Sequence, residues 1–188
     1  LSISDLIRRR RAVFTKFYIP GKPISRDILE QLLQNANWAP SHRLTQPWRF
    51  KVFHSEESHR QLSDYFIEYY RLHTSPELFS AEKMQKTGEN ALRAGAAIAI
   101  CMQRHPESGL PEFEEIASVA MAVQNMWLSC TEIRLGCYWS TPKAILEASE
   151  FLELGPDERC LGLLYLGWHE MPDVDGKRGP IEEKVVWR

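Results

Sequence analysis

Residues 111–135 read PEFEEIASVAMAVQNMWLSCTEIRL, the longest helical signal in the chain. A continuous helix over this stretch is about 37 Å long. From Ile116 to Cys130 it is apolar or small nearly all round, the pattern of a helix buried on several sides. Ala117, Ser118, Ala120, Ala122 and Ser129 let another helix approach closely. In a chain of only 188 residues, one neighbour able to fill that role is a second copy of itself.

Elements of both kinds flank this helix. Ala96–Met102 reads as a buried strand, and Cys137–Ser140 and Leu161–Leu166 as further strands with a helix over Ala144–Phe151 between them. Upstream, Arg49–His54 (RFKVFH) alternates as a strand does, and 56–74 has the pattern of a surface helix. Ser25 stands as an N-cap for a helix through Ala36 that turns Ile28, Leu29, Leu32 and Leu33 inward and stops at Pro40. Residues 18–24 form a loop broken by Pro20, Gly21 and Pro23, and Ser2–Arg11 forms an opening helix. Residues 75–90, polar and interrupted by Pro76 and Gly88, give no clear element. Helices and strands alternate irregularly, which predicts an α+β or mixed α/β class in one domain spanning 1–188.

Composition removes several function classes. Hydrophobic residues make up 44% and charged residues 26%, a globular balance. The 23 basic and 25 acidic side chains leave a formal charge of −2, so no nucleic acid partner is expected. The longest uncharged apolar run, Ala94–Met102, is far below the roughly 20 residues of a membrane helix, and no membrane role is expected. Arg8–Arg11 stand where the apolar part of a secretion signal would begin. Cys101, Cys130, Cys137 and Cys160 form no CxxC pair and read as reduced thiols of a cytoplasmic protein. The six histidines, at 42, 54, 59, 73, 105 and 169, make no HExxH or HxH pattern, so no metal site is expected. GxGxxG, GxxxxGK[ST] and GxSxG are all missing from the sequence.

Four stretches carry chemistry. Arg10 follows Ile3 by seven, Leu6 by four and Ile7 by three, which centres it on the apolar stripe of the opening helix. An inward guanidinium needs an anion: a buried carboxylate or a bound phosphate satisfies it, and an early helix end lets it reach water. Ala39–Trp48 (APSHRLTQPW) sets hydrogen-bonding side chains between two prolines, and Gln46 can donate and accept at the edge of a flat heterocycle. Gly136–Pro142 (GCYWSTP) ends a strand in an indole and two hydroxyls, equally suited to core packing or to a ligand wall. Lys177 and Arg178 lie between Gly176 and Gly179, where a solvated turn or a phosphate contact fits.

Taken in order, LIRRRRAVFTKF, WAPSHRLTQPWRF, EIASVAMAVQNMWL, GCYWST, LGLLYLGW and GKRGPIEEKVVW resemble the FMN-dependent nitroreductase family over nearly the whole chain. The resemblance implies an α+β fold with a mixed central sheet flanked by helices. It further implies an intertwined homodimer with a long buried interface helix, and an FMN at the interface touched by both subunits. By that resemblance Arg10, Arg11 and the residue at Ala12 match the phosphate-binding opening. His42, Leu44 and Gln46 match the loop along the ribityl chain and ring. Trp139, Ser140 and Thr141 match the strand end beside the flavin, and Lys177 and Arg178 the late basic pair of a C-terminal tail, 170–188. Residues 65–90, rich in Tyr and Phe, are expected to form a mobile cover. Four positions depart from the pattern: Ala12 replaces a usual Ser, Leu44 a usual Asn or Ser, and Phe14 and Thr15 a region that usually supplies a cation.

The activity so implied is ping-pong hydride transfer from NADH or NADPH to the flavin N5, then to an electron-poor acceptor such as a nitroaromatic or quinone. No catalytic acid or base is assigned, because the flavin carries the chemistry. Dehydrogenation, reductive dehalogenation, flavin breakdown and a non-catalytic flavin-binding dimer use the same pocket and stand as alternatives.

Overall fold

A computed structural model describes residues 2–188. In chain order its helices and strands are α1 (Ile3–Arg9), α2 (Arg26–Asn37), β1 (Trp48–Phe53), α3 (Glu56–His73), α4 (Ala81–Arg93), β2 (Ala96–Gln103), α5 (Glu112–Glu132), β3 (Leu135–Ser140), α6 (Lys143–Leu146) and β4 (Glu158–Trp168). The strands form one sheet in the order β1-β2-β4-β3, with every neighbouring pair antiparallel. The α+β class holds, but these four strands are antiparallel rather than mixed. The polar 75–90 stretch conceals α4, and the pair α3–α4 returns the chain so that β2 lies antiparallel to β1.

Strand β2 shows why its sequence is apolar without a break. Ala96, Ile98, Ile100 and Met102 pack with α2 and α5 on one face, while Ala97, Ala99 and Cys101 pack with Leu62, Phe66, Ala91 and Ile145 on the other. Alternate side chains enter two separate cores, so every position from Ala96 to Met102 is buried. α3 and α4 approach closely through Gly88, where a Cβ would sit 2.2 Å from Ser63 Oγ. The helix expected over Ala144–Phe151 is only the single turn α6, followed by turns that still bury Ala148 and Leu152.

Gly136 and Gly167 face each other across β3 and β4. The ring of Tyr18 lies over both: a Cβ at Gly167 would meet its Cδ2 at 2.2 Å, and one at Gly136 its Cε1 at 2.9 Å. The Tyr18 hydroxyl donates to the Tyr165 carbonyl at 2.9 Å, and burial pushes its pKa far up, so it remains a donor. This clamp ties the segment after α1 to the sheet. The tail beyond His169 carries only a short 3-10 turn at Glu182–Lys184, and Trp187 near its end is 92% exposed. Among the described residues no helix is long and apolar enough to cross a membrane, and no cluster of His, Cys, Asp and Glu could hold a metal ion.

Candidate functional site

Ser2 opens α1 with a reciprocal cap: the Asp5 amide donates to Ser2 Oγ at 3.2 Å and the Ser2 amide to Asp5 Oδ2 at 3.1 Å. The helix ends at Arg9, two residues earlier than expected, and Arg10 leaves helical geometry at φ −53°, ψ 123°. Ile3 and Ile7 remain on the surface of the chain, so the apolar stripe does not bury Arg10. Trp127 of α5 does: the Arg10 guanidinium lies 4.6 Å over the centre of its ring. Desolvation, then the nearby charges of Arg178 and Arg11, lower the Arg10 pKa. Arg11 donates from Nε to the Val174 carbonyl at 3.1 Å and from Nη1 to the carbonyls of Arg8 and Arg10 at 2.6 and 2.7 Å. Gly176 gives the tail room to pass, since a Cβ there would lie 2.3 Å from Arg11 Nη2.

Arg10 is therefore repelled by two further arginines, Arg11 next to it in sequence and Arg178 from the far end of the chain. Among the described residues, the ion pair in this region is Arg9 with Asp173 at 3.9 Å, and no carboxylate pairs with Arg10, Arg11, Lys177 or Arg178. Lys177 is exposed on the tail beside Arg178, whose Nη1 donates to the Lys177 carbonyl at 2.7 Å. Ala12 is exposed, and the following Val13 amide donates to the Cys137 carbonyl of β3 at 3.1 Å. That contact brings the opening segment alongside the strand that ends in Trp139, Ser140 and Thr141. Trp139 is anchored from behind, its Nε1–H donating to the Leu161 carbonyl at 3.0 Å. Gly162, at φ 138°, allows this, because a Cβ there would lie 2.3 Å from the same nitrogen. Ser140 is half-buried and Thr141 exposed. Phe14 points outward, edge-on to Tyr138 at 5.0 Å, while Thr15 turns in and donates to Asn90 Oδ1 at 2.5 Å. The Lys16 amine sits 4.8 Å over the Phe17 ring.

The loop after α2 is locally unfavourable. Arg43, Leu44 and Gln46 have φ of 52°, 55° and 43°, left-handed values that each cost a residue other than glycine about 1 kcal/mol or more. His42 Nδ1 lies 2.6 Å from Glu114 Oε2, the Gln46 amide donates to Ser41 Oγ at 3.2 Å, and Arg43 reaches the Ser108 carbonyl. These contacts hold the backbone and leave the Leu44 and Gln46 side chains exposed. The Thr45 hydroxyl is buried with no partner.

Two groups on α5 escaped sequence reasoning. Glu114 holds His42, and Glu115, only 1% exposed, takes the Arg104 guanidinium and the His105 ring nitrogen, the latter at 2.9 Å. Acids in a first helical turn read as ordinary dipole partners. The available signal was the stripe Ser118, Val119, Ala122 and Met126, which extended back one turn falls on Glu115. Trp127 reads in the sequence only as part of the long helix, because its two partners are more than a hundred residues away. Glu114 and Trp127 stand 13 residues apart on α5, which is about 20 Å along the axis. The His42–Gln46 loop and the arginine cluster thus sit near opposite ends of that helix. No described contact joins them within one chain.

The family model described as the Nitroreductase family matches residues 7–168. A Bacillus subtilis (strain 168) protein named "Putative NAD(P)H nitroreductase YfhC" is 27% identical over 187 residues, covering 98% of this chain and 93% of that protein. The crystal structure of a nitroreductase-like family protein from Bacillus cereus superposes with a TM-score of 0.80 at 26% identity, over 100% of this chain and 96% of that one. A variant of the FMN and NADPH-dependent nitroreductase NfnB from Sphigopyxis sp. strain HMH shares the fold, with a TM-score of 0.75 at 19% identity over 100% and 99% of the two chains. With 162 of its residues inside the matched span and an antiparallel core that superposes on these relatives, the chain belongs to the nitroreductase family.

Proposed function

We propose that this protein is an FMN-dependent NAD(P)H oxidoreductase acting as a homodimer, with an electron-poor nitroaromatic or quinone as acceptor. The observation that carries the proposal is the convergence of Arg10, Arg11 and Arg178 without any carboxylate. A phosphate monoester brings about two negative charges and three acceptor oxygens, which suits such a cluster. The names of YfhC and NfnB, one with NAD(P)H and the other with FMN and NADPH, support the cofactor pair.

In this reading Arg10, Arg11 and Arg178, with Lys177 beside them and the backbone at Ala12, hold the phosphate. His42, Leu44 and Gln46 border the ribityl chain and ring, and Trp139, Ser140 and Thr141 form the adjoining wall. When bound, FMN supplies hydride acceptance from the nicotinamide and hydride donation to the acceptor. The chain's residues position and shield. Anchored Trp139 cannot swing into the ring site, and exposed Phe14 and Leu44 offer apolar surface to an aromatic acceptor.

The helix α5 argues for two copies. Phe113 and Met121 on its outer face are 68% and 40% exposed, and neighbouring Trp38 is 85% exposed. Two such helices packed antiparallel bury that face. They also set the His42 loop of one copy against the arginine cluster of the other, removing a separation of about 20 Å. Residues 1–188 then act as one FMN-binding unit. The α3–α4 pair, with Leu78 and Phe79 exposed at its tip, is the cover we assign to 65–90, and 170–188 is the tail that brings the basic pair. All four cysteines are free and buried, on which ground we place the enzyme in the cytoplasm.

The test begins with the visible spectrum of the purified protein and of Arg10→Ala, followed by anaerobic reduction with NADH and with NADPH. The expected result is one FMN per chain, lost or greatly weakened in the variant, and bleached by at least one nicotinamide. A colourless protein that takes up no FMN overturns the cofactor assignment. Bound FMN that stays oxidised with both nicotinamides overturns the activity.

A further inference from the structure

The arginine cluster has a support on α5 to which none of the motifs assigns a role. Trp127, halfway buried between the two cores of the molecule, makes two separate contacts with the opening segment. Its Nε1–H donates to the Arg11 carbonyl at 3.0 Å, and its ring face carries the Arg10 guanidinium at 4.6 Å. Arg8 and Arg9, which lack such a platform, are exposed, and Arg9 reaches toward Asp173. Without the indole, Arg10 has the same freedom and a reason to use it, since Arg178 and Arg11 repel it.

We infer that Trp127 is a positioning residue for phosphate recognition, aligning Arg10 through its ring face and the Arg11 backbone through its N–H. The inference rests on the FMN reading above and adds to it a residue that touches no part of the cofactor. The physical content is preorganisation. Arg10 loses its rotamer freedom on folding rather than on binding, so the ligand does not have to order it. A cation held over an indole is also partly shielded from the neighbouring guanidinium charges while its fork stays open toward the ligand.

The test separates the phosphate from the rest of the flavin. The full-length protein is stripped of flavin and titrated with FMN and with riboflavin, following flavin fluorescence. The proteins compared are wild type, Trp127→Phe, Trp127→Leu, Arg10→Ala and the double variant Arg10→Ala/Trp127→Phe. Trp127→Leu is expected to weaken FMN about ten-fold and Trp127→Phe, which keeps a weaker ring face, about three-fold. Riboflavin binding is expected to move less than about two-fold in both, because the contact serves the phosphate alone. In the Arg10→Ala background the Trp127→Phe effect on FMN is expected to shrink to within about two-fold. Equal weakening of FMN and riboflavin, or an undiminished Trp127 effect in the absence of Arg10, overturns the inference and leaves Trp127 a packing residue. Should Trp127→Leu not fold, Trp127→Phe and the double variant decide the matter. A wild-type protein that binds FMN no better than riboflavin refutes the phosphate reading itself, whatever the Trp127 variants do.

Discussion

Replacing Glu115 by glutamine removes one charge from the least exposed acid in the molecule while keeping its size. The carboxylate is 1% exposed and receives the Arg104 guanidinium, the His105 ring nitrogen at 2.9 Å and the His105 amide at 3.5 Å. The Arg104 contact is ionic in character, because its Nη1 has no well-directed hydrogen bond of its own. In Glu115→Gln the guanidinium loses its counter-charge, leaving it a neutral amide oxygen and a long bond to the Leu110 carbonyl at 3.4 Å. Breaking a fully buried pair from one side costs about 3–5 kcal/mol, much of it from the stranded partner. The Arg104 side chain is 21% exposed, so water recovers part of that, and a loss of about 2–3 kcal/mol is expected. For a domain of this size that corresponds to a Tm lower by roughly 5–10 °C. Thermal unfolding followed by circular dichroism at fixed flavin concentration measures it. Pairing the change with Arg104→Met, so that neither charge remains, is expected to recover more than half of the loss. A Glu115→Gln protein melting within about 2 °C of wild type, or a double variant worse than the sum of its parts, refutes the view that a stranded cation sets the cost.

Gly167→Ala drives a methyl into the Tyr18 ring, 2.2 Å from Cδ2, and is expected to lower stability by about 1–3 kcal/mol, read as an earlier midpoint in urea. A midpoint equal to that of wild type means the Tyr18 ring yields without penalty. Met121→Asp places a charge on the outer face of α5, where the native side chain is 40% exposed in the single chain. Light scattering is expected to give a mass near the 21.8 kDa of one chain, with loss of yellow colour. A dimer of unchanged stability means the two copies meet elsewhere.

What the sequence made legible follows from how local each signal is. The strand Ala96–Gln103 and the helix Glu112–Glu132 announce themselves because their own side chains form the middle of the core. Helix α4 did not, since only Gly88 and Ala91 of it are buried, and Gly88 lowers helix propensity for the sake of its contact with Ser63. The opening helix is legible, yet its apolar stripe does not enter the core of the chain: Ile3 and Ile7 face outward, and a stripe reports that a surface is needed without saying whether the same chain supplies it. At the site, the arginines stood inside recognisable motifs. The pairing of those motifs with their supports was not legible, because Trp127 meets Arg11 across 116 positions and Glu114 meets His42 across 72.

Two places in this chain go against local preference, and they coincide with the two ends of the proposed ligand. The opening and closing segments gather like charges although the protein carries more acids than bases, 25 against 23, from which a partner could have been drawn. The loop after α2 holds three left-handed residues within four positions and leaves the Thr45 hydroxyl unsatisfied, while its exposed Leu44 and Gln46 side chains gain nothing from the fold. Folding alone rewards neither arrangement. Both persist because the surrounding structure enforces them, the arginines through Trp127 and the loop through Glu114 and the Ser108 carbonyl. Both enforcing contacts on the helix side come from α5, the element whose outer face is unpartnered in the single chain. Repulsion and strain thus recur at separate sites, each braced from the same helix, and in the proposed homodimer one anionic ligand relieves the first and lies against the second where two such helices meet.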